Sequence, residues 1–122
     1  MSRYKLGIIG GSGLYNLEKY TNAKSIDIST SWGKPSGQVI QIEHDGKEIF
    51  FLPRHGKNHN IQPSSINYRA NIDALKQLGV TDIISFSAVG SLNDDIKPGM
   101  FIVPDQFIDR TYKRENTFFD DD

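Results

Sequence analysis

A chain of 122 residues with 37% hydrophobic content has room for one core and a single domain. Its 14 Lys and Arg against 15 Asp and Glu leave a formal net charge of -1, without the basic excess that sequence-independent nucleic-acid binding requires. The absence of cysteine excludes disulfides, thiolate nucleophiles and sulfur-ligated zinc, and no apolar run approaches the ~20 residues of a membrane-spanning helix.

The chain enters apolar sequence after a few polar residues, with nothing like the apolar core of a secretory signal, so a soluble, cytoplasmic protein is expected. Residues 5–9 read as a short buried strand. Ser25-Ile26-Asp27-Ile28-Ser29 alternates like a half-buried strand, and Trp32-Gly33-Lys34-Pro35-Ser36-Gly37 is a loop by its Gly and Pro content. Residues 39–44 and 47–52 flank Asp45-Gly46, a pair that favours the type I′ two-residue hairpin turn. That register sets Ile42 opposite Ile49, Ile40 opposite Phe51, and Glu43 against Glu48 at a small electrostatic cost.

Pro63-Ser64-Ser65 opens a predicted helix that runs to Leu78, with Gly79 placed to end it. Tyr68, Ile72, Leu75 and Leu78 recur at helical spacing and are expected to face the sheet. A buried strand over residues 82–87 follows, making a right-handed strand–helix–strand crossover plausible. Lys97-Pro98-Gly99 is a turn, and Met100-Phe101-Ile102-Val103 is expected as one more short strand. From Pro104 onward periodicity is lost, and no repeat, linker or low-complexity segment is present.

Three apolar runs end in turns suited to an anion. Leu6-Gly7-Ile8-Ile9 leads into Gly10-Gly11-Ser12-Gly13, where glycine lets backbone approach closely and Ser12 adds a donor. Ile49-Phe50-Phe51-Leu52-Pro53 leads into Arg54-His55-Gly56. Arginine there offers a planar fork of donors with permanent charge, and His55 a donor of adjustable charge. Ile83-Ile84-Ser85-Phe86 leads into Ser87-Ala88-Val89-Gly90-Ser91, where Ser87 can donate and Ala88 and Gly90 leave room for a flat ring or sugar. Each turn alone is equally read as a tight connection, a solvated hairpin end or simple close packing. Ligands of open α/β sheets bind beyond the carboxyl ends of strands, so three such turns on one edge predict a phosphate-sized pocket.

Other chemistries fit less well. A dinucleotide fingerprint would need a small residue where Asn16 stands, although Asp27 falls near the position of a ribose-binding acid. His55 and His59 stand four apart, but Gly56 and the turn-like Lys57-Asn58 argue against the helix that a two-histidine metal site needs, so no metal is expected. His44 is expected to be exposed. Asp94, Asp95, Asp105 and Asp109 are mostly loop or turn residues and are assigned no catalytic role, and at least one of Asn67, Tyr68 and Arg69 is expected to brace the Arg54 turn.

With these turns in place, the chain resembles the methylthioadenosine phosphorylase branch of the trimeric purine nucleoside phosphorylases. The matching stretches are Gly7-Ile8-Ile9-Gly10-Gly11-Ser12-Gly13-Leu14, Arg54-His55-Gly56, His59, Pro63-Ser64, and Asn67-Tyr68-Arg69-Ala70-Asn71-Ile72. They continue through Ala74-Leu75-Lys76, Gly90-Ser91-Leu92, and Asp105-Gln106-Phe107-Ile108-Asp109-Arg110-Thr111, covering nearly the whole chain in one order. The resemblance implies an α/β fold with a mixed central sheet flanked by helices, incomplete at the C-terminus, residues 1–122 being the N-terminal part of a single domain. It implies phosphate held by Ser12, Arg54, His55, Ser87 and Ala88, and a nucleoside bordered by Ala88, Val89 and Gly90. His59 matches without being a direct ligand, and no catalytic residue is assigned within this segment. Val89 stands where some members of that family carry cysteine, a change of packing only.

The implied reaction is phosphorolysis of 5′-methylthioadenosine to adenine and 5-methylthioribose 1-phosphate. Phosphate would be co-substrate, with no metal or other cofactor, no nucleic acid or membrane partner, and a homotrimeric assembly. Members of that family continue past the position of Asp122, and the later part supplies the purine-reading acid, ribose contacts and methylthio pocket. The chain is therefore expected to be a piece with a partial phosphate site and little turnover. A phosphorylase for methylthioinosine or another purine nucleoside, a non-catalytic anion- or nucleotide-binding module, and an interaction remnant that docks into a trimer without chemistry stand as alternatives.

Overall fold

The computed structural model describes residues 4–11 and 22–119. Strands β1 (Leu6–Gly10), β2 (Lys24–Ile26), β3 (Val39–His44), β4 (Lys47–Pro53) and β5 (Asp82–Phe86) and the helix α1 (Tyr68–Gln77) follow in chain order. The strands form one mixed sheet in the order β2-β3-β4-β1-β5, the α/β architecture expected.

β3 and β4 make the predicted hairpin. Asp45 (φ 51) and Gly46 (φ 70) both take the left-handed conformation that a type I′ turn requires. Ile42 faces Ile49 and Ile40 faces Phe51, as the turn dictates. Glu43 does stand against Glu48, but Lys5 Nζ lies 3.0 Å from the Glu48 carboxylate and Gln41 Nε2 donates to it at 2.6 Å. The like-charge pair is thereby relieved. β2 is shorter than expected. Past Ile26 the Asp27 carboxylate accepts from Gln38 Nε2 at 2.8 Å, and the ladder stops.

β1 lies between β4 and β5 and runs parallel to both. The crossover between those two strands carries α1, which covers one face of the sheet. Ile9, Val39, Phe50, Leu52, Ala74 and Leu75 form the core between them.

The single helix expected from Pro63 is divided. Pro63–Ser65 forms a 3₁₀ helix, Ile66 is extended, and α1 starts after Asn67. The cause is local: Asn67 Oδ1 accepts from Ala70 N at 3.0 Å, satisfying a helix-end donor from the N-cap position. Gly79 ends the helix as expected, at φ 78. The packed face also differs from the predicted stripe. Ala70, Asn71, Ala74 and Leu75 are buried, whereas Ile72 is 38% exposed. Ala70 and Ala74 are both fully buried, so the covered face runs along them and Leu75, and Ile72 is left on the flank.

Two strand expectations fail. β5 is not buried, because it is an outer strand paired on one side only, and Ile83 and Ile84 are 41% and 47% exposed. Residues 100–103 form no strand. Met100 N closes the Lys97-Pro98-Gly99 turn onto Lys97 O at 3.2 Å, and the next three residues are exposed. A strand is stabilised by pairing its backbone, and among the described residues no strand lies alongside these.

Later residues return to α1. Arg114 Nη1 donates to Tyr68 Oη at 2.7 Å, Arg69 Nη1 to Thr117 O at 3.3 Å, and Phe118 meets Trp32 edge-on at 5.2 Å. The exposed Asp109 accepts from Thr111 Oγ1 and N, which holds its carboxyl below the ordinary carboxylate range. No helix among the described residues is long and apolar enough to cross a membrane.

The revised helix face gives a test. Leu75→Ala is expected to lower the unfolding free energy by about 2–5 kcal/mol. Ile72→Ala should cost about 1 kcal/mol or less. Urea denaturation of each variant separates the two outcomes.

Candidate functional site

Parallel pairing brings three strand ends level. Gly10 is registered with Pro53 on one side and Phe86 on the other. The ladder continues one step beyond the strands: Arg54 N donates to Gly10 O at 2.9 Å, and Gly11 N donates to Phe86 O at 3.3 Å. Gly11, the Arg54 turn and the end of β5 therefore meet on one edge, while Ser12 and Gly13 of the first predicted turn lie outside the described residues.

Arg54 links two of them. Its Nη1 donates to Ser87 Oγ at 3.1 Å and to Phe86 O at 3.3 Å, with Ser85 Oγ at 3.5 Å. These partners are neutral acceptors. Among the described residues no carboxylate pairs with Arg54. Among these partners its positive charge is held in place without being neutralised. Because Ser87 Oγ accepts from Arg54, the Ser87 hydroxyl proton remains available to a further acceptor.

Gly11 has a different role from the one expected. A Cβ at this position would lie 2.5 Å from Arg54 Nη2, so the missing side chain makes room for the guanidinium itself. Gly56 turns the chain away as predicted, at φ 79. His55 Nδ1 lies 2.9 Å from Ile61 O, and a carbonyl can only accept, so Nδ1 carries the proton. Ile61 N returns to His55 O at 3.0 Å, closing the loop. His59, at φ 54, packs its ring against His55 with centroids 4.8 Å apart. The two sit on a turn, and among the described residues no group of three potential metal ligands forms.

Arg54, His55, Ser85 and Ser87 line an open cavity of about 500 Å³ whose apolar walls include Ile9 and Ile83. One permanent cation, the hydroxyls of Ser85, Ser87 and Tyr68 and an imidazole, with no carboxylate among the described lining residues, suit an anion. Of the residues predicted to hold it, Arg54, His55 and Ser87 come together here. Ser12 lies outside the described residues. Ala88, Val89 and Gly90 follow Ser87 on exposed chain and do not line the cavity, Val89 being 84% exposed.

Sequence reading missed two participants. Ser85 lies two residues before Ser87, and strand alternation places such positions on one side, which is the signal that could have found it. Asn71 left no such trace. The dinucleotide alternative fails on topology: β3 and β4 lie between β2 and β1, and Asp27 is engaged by Gln38. A ribose-binding acid would have to follow a strand beside β1.

A family model described as the phosphorylase superfamily matches residues 5–122. The S-methyl-5′-thioadenosine phosphorylase of Hyperthermus butylicus is 57% identical over 116 residues, covering 95% of this chain and 42% of the relative. That of Thermofilum pendens is 55% identical over 120 residues, covering 98% and 46%. Among solved structures, a methylthioadenosine phosphorylase from an antarctic soil metagenomic library superposes with a TM-score of 0.87 at 49% identity, covering 95% of this chain and 40% of that one. The methylthioadenosine phosphorylase of Schistosoma mansoni in complex with tubercidin gives a TM-score of 0.88 at 46% identity, covering 94% and 41%. The chain thus spans less than half the length of these relatives.

Gly11→Ala should displace the Arg54 guanidinium and weaken sulfate binding by about tenfold, the scale of one hydrogen bond to a charged group. An NMR titration of the chain with sulfate reads the change.

Proposed function

Since the chain belongs to the phosphorylase superfamily, we propose that its cavity binds inorganic phosphate for phosphorolysis of 5′-methylthioadenosine. The observation that carries this reading is the Arg54 fork, fixed by Ser87, Ser85 and the Phe86 carbonyl with no carboxylate among the described lining residues. The curated relatives with S-methyl-5′-thioadenosine phosphorylase names support the choice of nucleoside.

Arg54, His55 and Ser87 hold the phosphate in this reading together with Ser12 from the first turn, and Ala88, Val89 and Gly90, next along the chain from Ser87, border purine and ribose outside the cavity. A phosphate oxygen forms a bond to the anomeric carbon as the bond to the adenine nitrogen breaks. Adenine leaves with the electron pair and takes up a proton, giving adenine and 5-methylthioribose 1-phosphate. The sugar passes through an oxocarbenium-like state, and an anion fixed beneath it serves as nucleophile and as electrostatic stabiliser. The reaction needs no metal or redox cofactor, because phosphate itself is the co-substrate. Residues 1–122 form the N-terminal part of one domain in this reading, and the assembly is a cytoplasmic homotrimer.

The 122-residue chain is expected to bind phosphate while releasing little or no adenine from 5′-methylthioadenosine. Phosphate-dependent adenine release, followed chromatographically, would overturn the second half of that expectation. Arg54→Ala should weaken phosphate binding by at least about tenfold, since a charge-assisted bidentate donor is lost. Unchanged affinity in a calorimetric titration would sink the phosphate site.

A further inference from the structure

Arg54 is held from the β1 side by a ladder bond, but the turn it shares with His55 also has an underside. Asn67 and Asn71, four residues apart, lie on one face of α1 and both reach the loop before β3. Asn67 Nδ2 donates to Trp32 O at 2.7 Å. Asn71 Oδ1 accepts from Ser36 N at 2.8 Å, and its Nδ2 donates to Ser36 Oγ at 2.9 Å. Both partners are enclosed, Asn71 being 1% exposed and Ser36 8%. Ser36 and Gly37 in turn lie directly beneath the Arg54 turn. Ser36 O is 3.2 Å from the place a Cβ on Gly56 would occupy, and a Cβ on Gly37 would meet Pro53 Cγ at 3.2 Å.

We infer that Asn71, acting through Ser36, is a positioning residue for the turn that carries Arg54 and His55. The inference rests on the phosphate reading for its consequence, though its geometry stands apart from that reading. Asn71 borders the cavity, yet it is almost fully enclosed and its amide is committed to Ser36. It therefore acts on the turn and not on a ligand. Asparagine suits the task because one side chain supplies both the acceptor that a backbone N–H needs and a donor for the adjacent hydroxyl. Without it, a buried N–H loses its partner, and a shift of the Ser36 loop toward water is the available relief. That shift removes the floor under Gly56 and loosens Arg54.

The test compares Asn71→Ala, Ser36→Ala and the core variant Leu75→Ala in the 122-residue chain. Two readouts are taken: amide hydrogen exchange at Gly56 relative to β1 amides, without phosphate, and an NMR titration with inorganic phosphate. Asn71→Ala should speed relative exchange at Gly56 and weaken phosphate binding, each by about tenfold. Ser36→Ala, which removes one of the two bonds, should give a smaller change of the same sign, and it decides the matter if Asn71→Ala does not fold. Leu75→Ala should leave phosphate affinity of the folded chain within about twofold of the parent and speed exchange at β1 amides at least as much as at Gly56, as a loss of global stability acts most on core amides. Folded Asn71→Ala and Ser36→Ala chains with parental exchange ratios overturn the inference. So does faster exchange at Gly56 with unaltered phosphate affinity. If the parent chain binds no phosphate, the functional reading fails by itself, and the exchange ratio alone then decides the positioning role.

Discussion

The site depends on β1 being paired on both sides by parallel neighbours whose ends are level with its own. Gly10 faces Pro53 and Phe86 across the two ladders, and one further hydrogen bond on each side carries the alignment into the turns. A slip of one residue on either side would turn the side chains of that strand to the opposite face and separate Arg54 from Ser87. The hydrophobic pattern prevents such a slip. Ile9, Phe50 and Leu52 must all stay buried beneath Ala74 and Leu75. The apolar core thus sets the placement of a charge that lies outside it.

The electrostatic arrangement follows from that placement. Arg54 is held by two hydroxyls and a carbonyl, acceptors that orient a guanidinium without cancelling its charge. A carboxylate in the same position would form a closed ion pair and leave nothing for a ligand. The surrounding pieces serve the same end by different means. Gly11 withholds a side chain so that the guanidinium fits, and Gly56 bends the chain clear of the cavity. The Ile61 carbonyl accepts from His55 Nδ1 and so fixes the orientation of the ring. Beneath them, Asn71 ties the Ser36 loop to α1, so the helix supports the turn as well as covering the sheet.

Much of this was legible in the chain itself where the cause is local. Asp45-Gly46 permits the left-handed pair of a type I′ turn, and that turn fixes the register of five residues on either side. The anion-suited turns were visible because Gly, Ser, Arg and His carry their chemistry wherever they lie. The helix was misread in two respects for related reasons. Its start was placed at Pro63 because proline suits a first turn, whereas Asn67 competes for the cap a few residues later. Bulk points to a face through Ile72, whereas the covered face runs along two small, fully buried alanines.

What the residues determined alone was the kind of chemistry: short strands ending in glycine, serine and a fixed cation, and a family resemblance carried by those motifs. The order of the strands, and hence which ends meet, came only from the fold, because pairing partners far apart in the chain leave no periodic trace. The same holds for Ser85, for Gly11 as the space that Arg54 fills, and for Asn71 beneath the turn. Each acts through a neighbour at least 31 residues away in the chain, and only packing a core brings such residues within hydrogen-bond reach.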